Sequence, residues 1–293
     1  MAARRTFSLI TSGRGRDADP DLPLAAAAFE RRGLDVEIVA WDDPNVSWDR
    51  YDLSIIRSCW DYSWRREEFL DWAVGVPRLC NPAEILEWST DKRYLLDLDN
   101  ASCPIVPTTW NPRTIDELPA GTEWVVKPTI SAGSRDTARW SEAESALEHV
   151  NKLVADGRNA MAQPYLTAVD TEGETALLFL GGQFSHAVRK GPLLRRGEGV
   201  SQQRDSRGDL VARNATPGQL AVARRALGLA TERHSNSTPL LYARVDVVTD
   251  DAGRCVVLEL ELAEPSLFLP QCPAAAERLV DSAVHRADHL PGH

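Results

Sequence analysis

The sequence predicts a mixed α/β (α+β) fold in which a parallel βαβ domain precedes a region of antiparallel hairpins. Through residues 1–102, short apolar runs alternate with helix-forming runs, which is the order of parallel βαβ units. Beyond residue 123 the apolar runs come in pairs joined by turn residues, the pattern of antiparallel strands. A chain of 293 residues can hold two or three such domains, each with its own core.

The N-terminal elements follow from apolar runs and their punctuation. In chain order they are strands at 6–10, 36–40, 53–56 and 78–80 and helices at 22–32, 67–74 and 91–98. The first helix is rich in Ala and ends at Gly33, a typical helix terminator. We place a domain boundary near Cys103 and Pro104, where the pattern changes.

The remaining elements are strands at 124–128, 160–165, 175–180, 184–189, 240–248 and 254–262 and helices at 142–154, 217–232 and 273–288. Gly181 and Gly182 separate two of the strands and predict a hairpin. The stretch 191–211 has little periodicity and is long for a loop, so it is either functional or disordered. The predicted domains are 1–102, an N-terminal domain, 103–166, a small subdomain, and 167–293, a C-terminal subdomain.

Composition excludes several classes of function. A net charge of −10 opposes general binding to nucleic acid or anionic membranes. No apolar run is long enough for a membrane span or a signal peptide. The five cysteines form no metal-binding spacing and are expected to be reduced thiols of a cytoplasmic protein. All nine tryptophans precede residue 141, which predicts a Trp-rich core there, with a pocket lined by Trp60 or Trp64 as the alternative.

The strongest functional signal is a predicted hairpin that carries several charges. Alternation of side chains puts Glu259 and Glu261 on one face of their strand and Arg244 and Asp246 on one face of theirs. A turn at 251–252 would set Asp246 opposite Glu259 and Arg244 near Glu261. Three crowded carboxylates on an apolar hairpin would repel one another, and a magnesium ion would resolve this. The alternative is the solvent-exposed face of an antiparallel sheet.

Two weaker signals lie upstream. Lys127 ends an apolar strand and precedes a loop of small residues, an arrangement that can hold phosphate. It is not a Walker A loop, since GxxxxGK[ST] is absent. The strand that reaches Gln163 leads into a linker whose backbone can meet an adenine edge, and Glu174 follows where a carboxylate can hold ribose hydroxyls. The glycines at 13 and 15 are only a fragment of a dinucleotide-binding motif.

Together and in this order, these residues resemble the ATP-grasp superfamily of ligases, over roughly residues 91–268. The resemblance implies an ATP-grasp fold preceded by a βαβ (pre-ATP-grasp) domain, with ATP and Mg²⁺ as cofactors and Mn²⁺ as an alternative ion. It implies nucleotide ligands at Lys92, Lys127, Ser131, Ala132, Gly133, Ser134, Gln163, Pro164, Tyr165, Leu166 and Glu174. Arg189 and Arg244 would neutralise the transferred phosphoryl group, and Asp246, Glu259 and Glu261 would bind magnesium.

One departure from the family pattern concerns the metal motif. The family usually has Glu-x-Asn where this chain has Glu259-Leu-Glu261, so the number of metal ions is open. The segment Glu264-Pro265-Ser266 lies where relatives shape the acceptor pocket, and Ser266 is expected to touch substrate. Arg57, Asp61 and Tyr62 follow a strand of the first domain and either bind substrate, at the carboxyl edge of the sheet, or pack the domain.

The resemblance implies ligation of an amino-acid-like carboxylate to a nitrogen nucleophile through an acylphosphate. Within the superfamily the chain is similar to short, glutathione-synthetase-like ligases and, among them, to cyclo-ligases that close O-ureido-D-serine into D-cycloserine. The expected partner is a small molecule, with neither nucleic acid nor membrane, in a chain that can form a homo-oligomer. Two alternatives stay open at this stage: a kinase-like phosphotransferase and a non-catalytic nucleotide-binding protein.

Overall fold

The computed structural model describes residues 4–200, 209–233 and 239–289 and contains three sheets. The N-terminal sheet consists of β1 (Thr6–Thr11), β2 (Asp35–Ala40), β3 (Leu53–Ser58) and β4 (Leu79–Cys80). Its strand order is β2-β1-β3-β4, and every neighbouring pair is parallel. The parallel βαβ arrangement predicted from the sequence is therefore confirmed.

The helices of this region are α1 (Gly15–Ala18), α2 (Asp21–Arg31), α3 (Arg66–Val74), α4 (Ala83–Ser89) and α5 (Tyr94–Asn100). Helix α2 buries its Ala-rich face, including Ala25 and Ala28, against the sheet. Gly15 is required by a close approach, because a Cβ there would lie 2.0 Å from the carbonyl oxygen of Ser58. The expected Trp-rich core is present at Trp41, which packs edge-on against Phe69.

A smaller antiparallel sheet follows. It consists of β5 (Thr109–Trp110), β6 (Trp124–Pro128), β7 (Ala138–Trp140) and β8 (Ala160–Pro164), in the order β5-β8-β6-β7. Helix α6 (Ala143–Ala155) packs on it through Ala146, Val150 and Leu153. The sequence did not predict β5 and β7, because two or three residues are too few to show a period.

The third sheet has five antiparallel strands and carries most of the charged residues discussed below. Its strands are β9 (Glu174–Leu180), β10 (Gln183–Lys190), β11 (Leu210–Arg213), β12 (Tyr242–Thr249) and β13 (Cys255–Glu261), in the order β11-β10-β9-β12-β13. Helices α7 (Ala168–Glu172), α8 (Pro217–Arg233) and α9 (Ala274–His289) complete the chain. Of the stretch 191–211, which was expected to be a long loop that is either functional or disordered, Leu210 and Val211 belong to β11, and residues 201–208 lie outside the described residues.

One irregularity in this sheet affects the site. In the hairpin formed by β9 and β10, Phe184 pairs with Phe179, but His186 pairs with Leu178. Ser185 is therefore an extra residue on β10, a β-bulge, and it shifts every later pair by one position. Since side chains alternate along a strand, a one-residue shift exchanges the two faces of the strand.

The N-terminal sheet is joined to the third sheet by buried hydrogen bonds. The Asn81 side chain, fully buried, donates to the carbonyl oxygens of Tyr242 (2.9 Å) and Leu262 (2.8 Å) and accepts from the Leu241 amide. The Tyr242 hydroxyl donates to backbone oxygens on both sides, at Cys80 and Ala263. Within the residues that the structure describes, no helix is long and apolar enough to cross a membrane.

Candidate active site

A cavity of about 990 Å³ is lined by residues from all three sheets and the loops that follow them. The N-terminal sheet contributes Ser12 after β1 and Trp60 after β3, at the carboxyl ends of its strands, where open α/β sheets place ligands. The smaller sheet contributes Lys127, and the third sheet contributes Glu259. Such a junction of sheets is a usual position for a binding site.

The charged hairpin has the register expected from the sequence. Arg244 pairs with Glu261 and Asp246 with Glu259. One carboxylate oxygen from each of Asp246, Glu259 and Glu261 lies within 4.8 Å of the others. Magnesium binds hard oxygen ligands and uses one or two carboxylates per ion, so this donor set fits the ion.

Basic side chains from different parts of the chain form ion pairs with these carboxylates. Lys190 Nζ lies 2.6 Å from Asp246 Oδ2 and 2.6 Å from Glu174 Oε2. Arg244 Nε lies 3.0 Å from Asp246 Oδ1, and the same guanidinium also donates to Glu261. A third cation reaches the cluster from outside the hairpin: Lys92 Nζ lies 3.0 Å from Glu259 Oε1.

The protonation equilibria show that this balance is incomplete. Burial, opposed by Arg244 but reinforced by Glu259, raises the pKa of Glu261 to about 8. Burial alone would also raise the pKa of Glu259, but the ammonium groups of Lys92 and Lys127 hold it below its usual range. Compensation within the cluster is therefore uneven, and Glu261 is the carboxylate left under-compensated, which favours a further cation beside it.

The sequence-based choice of Arg189 as a phosphoryl-binding cation is corrected by the bulge at Ser185. With the register shifted by one, Lys190 rather than Arg189 lies opposite Glu174. Arg189 instead donates to the carbonyl oxygens of Glu172 (2.7 Å) and Thr171 and does not line the cavity. Lys190 was missed because the sequence does not reveal the extra residue.

Lys127 is the buried cation of the smaller sheet. Its side chain lines the cavity and is 8% exposed, and across the described part of the chain it has no hydrogen bond or ion pair. Burial lowers the pKa of Lys127, with Glu259 opposing the decrease and Lys92 adding to it. A buried ammonium group without a partner is costly, so the site is suited to an anionic ligand.

The small-residue loop after β6 lies beside these lysines. Lys92 Nζ donates to the Ser131 carbonyl oxygen at 2.9 Å and to its hydroxyl at 3.3 Å. Gly133 and Ser134 have positive φ angles of 62° and 56°. The loop residues that line the cavity are Ser131, Ala132, Gly133 and Ser134.

The segment predicted to meet adenine also lines the cavity, at Gln163, Pro164, Tyr165 and Leu166. Tyr165 is held from behind by an ion network that the sequence gave no reason to expect. Arg139 lies with its guanidinium carbon 3.4 Å from the Tyr165 ring centroid and pairs with Glu123 at 2.6 Å. Glu174, the predicted ribose ligand, lines the cavity while paired with Lys190.

Of the predicted substrate residues, Asp61, Tyr62 and Ser266 line the cavity, as do Trp60 and Trp64. Arg57 does not: it is 1% exposed and donates to the Pro265 carbonyl oxygen at 2.7 Å.

The resemblance places the segment Glu264-Pro265-Ser266 at the acceptor pocket but predicts a substrate contact only for Ser266. Glu264 of this segment is a buried carboxylate on the cavity wall. Burial raises the pKa of Glu264 to about 7. Its position on an irregular segment after β13 gave no periodic signal.

Known proteins resemble this chain over nearly its whole length. Residues 7–81 match the N-terminal domain of D-cycloserine synthetase DcsG. The chain is 36% identical over 296 residues to the cycloserine biosynthesis protein DcsG of Streptomyces lavendulae, covering 96% of this chain and 98% of that protein. A crystal structure of D-cycloserine synthetase DcsG superposes with a TM-score of 0.89, at 34% identity, covering 96% of this chain and 99% of that one.

A more distant structure shows the same fold. The ATP-grasp ligase PsnB, complexed with its minimal precursor, Mg and ADP, superposes with a TM-score of 0.62 at 16% identity, covering 97% of this chain and 98% of that one.

Proposed function

The chain belongs to the D-cycloserine synthetase DcsG family and is an ATP-dependent ligase with the ATP-grasp fold, and we propose that it uses ATP and Mg²⁺ to close O-ureido-D-serine into D-cycloserine. The observation that carries the proposal is the carboxylate cluster of Asp246, Glu259 and Glu261. Glu259 and Glu261 of this cluster line the same cavity as Lys127, a buried cation without a partner among the described residues. One feature suits a divalent cation and the other suits phosphate.

The proposed reaction has three steps. ATP phosphorylates the substrate carboxylate, which gives an acylphosphate and ADP. The ureido nitrogen that is bonded to oxygen attacks the acyl carbon, loses its proton and displaces phosphate, so that the new C–N bond closes the ring. D-cycloserine lacks the carbamoyl group of the substrate, so one water must release this group as carbamic acid, which decomposes to CO₂ and ammonia.

The chain's cations would position and neutralise the phosphates. We assign Lys92 and Lys127 to the α- and β-phosphates and Lys190 and Arg244 to the phosphoryl group in transfer. Lys190 takes the place that the sequence suggested for Arg189, because its side chain faces the carboxylates. The loop 131–134 would cover the phosphates with its backbone N–H groups.

The carboxylates would hold the metal. Asp246, Glu259 and Glu261 would bind Mg²⁺, with Mn²⁺ as an alternative ion. When bound, the ion supplies positive charge to the phosphate oxygens.

The nucleotide base and sugar would lie beside the segment that leads out of β8 and the start of β9. Gln163, Pro164, Tyr165 and Leu166 would contact adenine, and Glu174 the ribose hydroxyls. We further propose that the chain divides into domains 1–102, 103–166 and 167–293, each of which contains one of the three sheets.

Product analysis tests the reaction. We expect the protein with ATP, Mg²⁺ and O-ureido-D-serine to form D-cycloserine and phosphate in equal amounts. A stable phosphorylated product would favour a kinase-like transferase instead, and no substrate-dependent turnover of ATP would favour a non-catalytic nucleotide-binding protein.

Lys127→Met tests the nucleotide site separately. A charge-assisted contact to phosphate contributes about 1.5–3 kcal/mol, so ADP should bind about 10- to 100-fold more weakly to the variant. Methionine keeps the apolar stem and so preserves packing. Calorimetric titration of ADP measures the change, with Lys152→Met, at an exposed position on α6, as the matched control. An unchanged dissociation constant would contradict the phosphate role.

A further inference from the structure

Six acidic residues line the cavity, and five of them have a partner: Asp21, Asp61, Glu174, Glu259 and Glu261. Asp61 accepts from the Trp41 indole at 3.0 Å and lies 3.4 Å from Arg65, while Glu174, Glu259 and Glu261 pair with lysine or arginine. Glu264 is the exception. Apart from its own backbone amide, its carboxylate has no hydrogen bond or ion pair with any residue in the described ranges.

This unpartnered carboxylate is deeply buried. Glu264 is 7% exposed, and it is not one of the three residues whose oxygens cluster for a metal. Lys92 and Arg244 act on it electrostatically, but both are already paired with other carboxylates. A buried charge without a partner is costly, so the position calls for a cation that arrives with a ligand.

The backbone that follows Glu264 is fixed against the N-terminal domain. The fully buried Asp21 carboxylate accepts three backbone N–H bonds from the segment that follows, at Leu267 (2.5 Å), Phe268 (3.1 Å) and Leu269 (2.7 Å). Glu264 therefore belongs to a held wall rather than to a free loop, and this wall includes Ser266 and Phe268.

Lys127 and Glu264 in the cavity are thus suited to ligands of opposite charge. Among the described residues, Lys127 is a buried cation without a partner and suits phosphate, whereas Glu264 is a buried carboxylate without a partner and suits an ammonium group. Resting on the proposed function, we propose that Glu264 binds the α-ammonium group of the amino-acid substrate and makes that group a requirement for turnover. The α-ammonium is the one cationic group of O-ureido-D-serine near neutral pH, so no other part of this substrate offers the missing charge.

The test pairs a variant with a substrate analogue. Glu264→Gln removes the charge of the side chain and keeps its size, and 3-(ureidooxy)propanoate lacks only the amino group of O-ureido-D-serine. We expect the wild type to use the analogue with kcat/KM lower by about 10²-fold or more, as for loss of one member of a buried charge pair. Glu264→Gln should lower kcat/KM for O-ureido-D-serine by a similar factor but change it for the analogue less than about threefold.

Several readouts separate this role from others. Equal losses with both substrates would indicate a general base or a structural role and would overturn the proposal. Glu264→Asp should restore part of the discrimination, because it restores the charge. Asp19→Asn is the matched control: Asp19 is 4% exposed, is a buried carboxylate and lies outside the cavity wall, so its ratio between the two substrates should equal that of the wild type.

Control measurements in the same experiment show whether the variants fold and whether the proposed function holds. The KM for ATP and the thermal shift caused by MgADP should be those of the wild type in Glu264→Gln, which shows that the nucleotide site is intact. If Glu264→Gln does not fold, the test rests on Glu264→Asp. Its ratio of kcat/KM for O-ureido-D-serine to kcat/KM for the analogue must be lower than that of the wild type, and a ratio equal to that of the wild type overturns the proposal. Absence of wild-type turnover of O-ureido-D-serine overturns the proposed function together with this inference, whereas normal wild-type turnover with parallel losses overturns the inference alone.

Discussion

Two ion networks, one on the cavity wall and one behind Tyr165 of that wall, are built from similar residues but balanced differently. The hairpin network contains Lys92, Lys190, Arg244, Glu174, Asp246, Glu259 and Glu261. The hinge network contains Glu123, Arg139, Asp170 and Arg196. The first has four carboxylates for three cations, and the second has two of each.

The protonation equilibria follow that difference. In the hinge network, burial alone would raise the pKa of Glu123, but hydrogen bonds from Arg139 and Arg196 outweigh it and lower this pKa. In the hairpin network, burial raises the pKa of Glu261 to about 8 because its one cation does not compensate. A network that is complete by itself stabilises the fold, whereas a network with a charge left over is suited to a ligand.

The largest effect is expected from the hairpin network. Under the proposed metal role, Glu259→Gln should lower turnover on the order of 10²–10³-fold, because it removes a carboxylate ligand of the ion that would neutralise the transferred phosphoryl group. The fold should persist, since the Glu259 side chain is 24% exposed at the cavity. Steady-state rates at saturating Mg²⁺, with circular dichroism, measure both. Asp251→Asn, at an exposed position in the turn of the same hairpin, is the control, and near-normal turnover of Glu259→Gln would contradict the metal role.

The hinge network should respond in stability rather than in chemistry. Glu123 is 3% exposed and accepts from Arg139 at 2.6 Å and Arg196 at 2.7 Å. Glu123→Gln should lower the free energy of unfolding by about 2–3 kcal/mol, because Arg139 stays buried with less compensation. Urea unfolding measures this loss. A fall in kcat of more than about threefold in the folded variant would mean that the network also acts in catalysis.

An uncharged pair of residues between β7 and α6, Trp140 and His149, extends the comparison. The Trp140 indole donates to His149 Nδ1 at 3.1 Å, and burial lowers the pKa of His149 to about 4. An unfolded histidine protonates near pH 6.5, so the native state loses stability as pH falls from about 6.5 to about 4. Between pH 7.5 and 5 this loss should be about 2 kcal/mol. His149→Phe should make the pH dependence of the unfolding free energy shallower, and an unchanged dependence would contradict the assignment.

The smallest effect is expected at the exposed end of the hinge network. The Arg196 side chain is 69% exposed although it pairs with Glu123. Exposed ion pairs contribute little, so Arg196→Ala should shift the melting temperature by less than about 2 °C. Differential scanning fluorimetry of this variant beside Glu123→Gln shows whether burial or pairing determines stability. Equal shifts would mean that pairing alone does.

The sequence predicted the structural features that depend on the periodicity of apolar residues and on turn residues. The parallel order of the first sheet follows from alternating apolar and helix-forming runs, and the hairpin that brings Arg244 near Glu261 follows from the turn after β12, although its exact register also depends on an extra residue, Leu258, on β13. Both are local patterns repeated over many residues, so they survive without tertiary information.

What the sequence could not predict depends on single residues or on distant contacts. Lys190 was missed because one bulge residue, Ser185, changes the face of a strand. That Glu264 lacks a partner among the described residues could not be predicted, because the absence of a partner is visible only when every neighbour in space is known. The ring contact between Arg139 and Tyr165 joins separate strands and has no signature in either.

The bulge also changes how relatives of this chain must be compared. For a relative that lacks the extra residue, an alignment without a gap between Phe184 and Arg189 would match Arg189 with the residue that occupies the site of Lys190. Arg278 of α9 donates to the Ser185 hydroxyl at 2.9 Å and holds the extra residue in place. Natural insertions or deletions in this hairpin therefore alter which cation meets the carboxylates, so the length of the strand is as informative as the residues it contains.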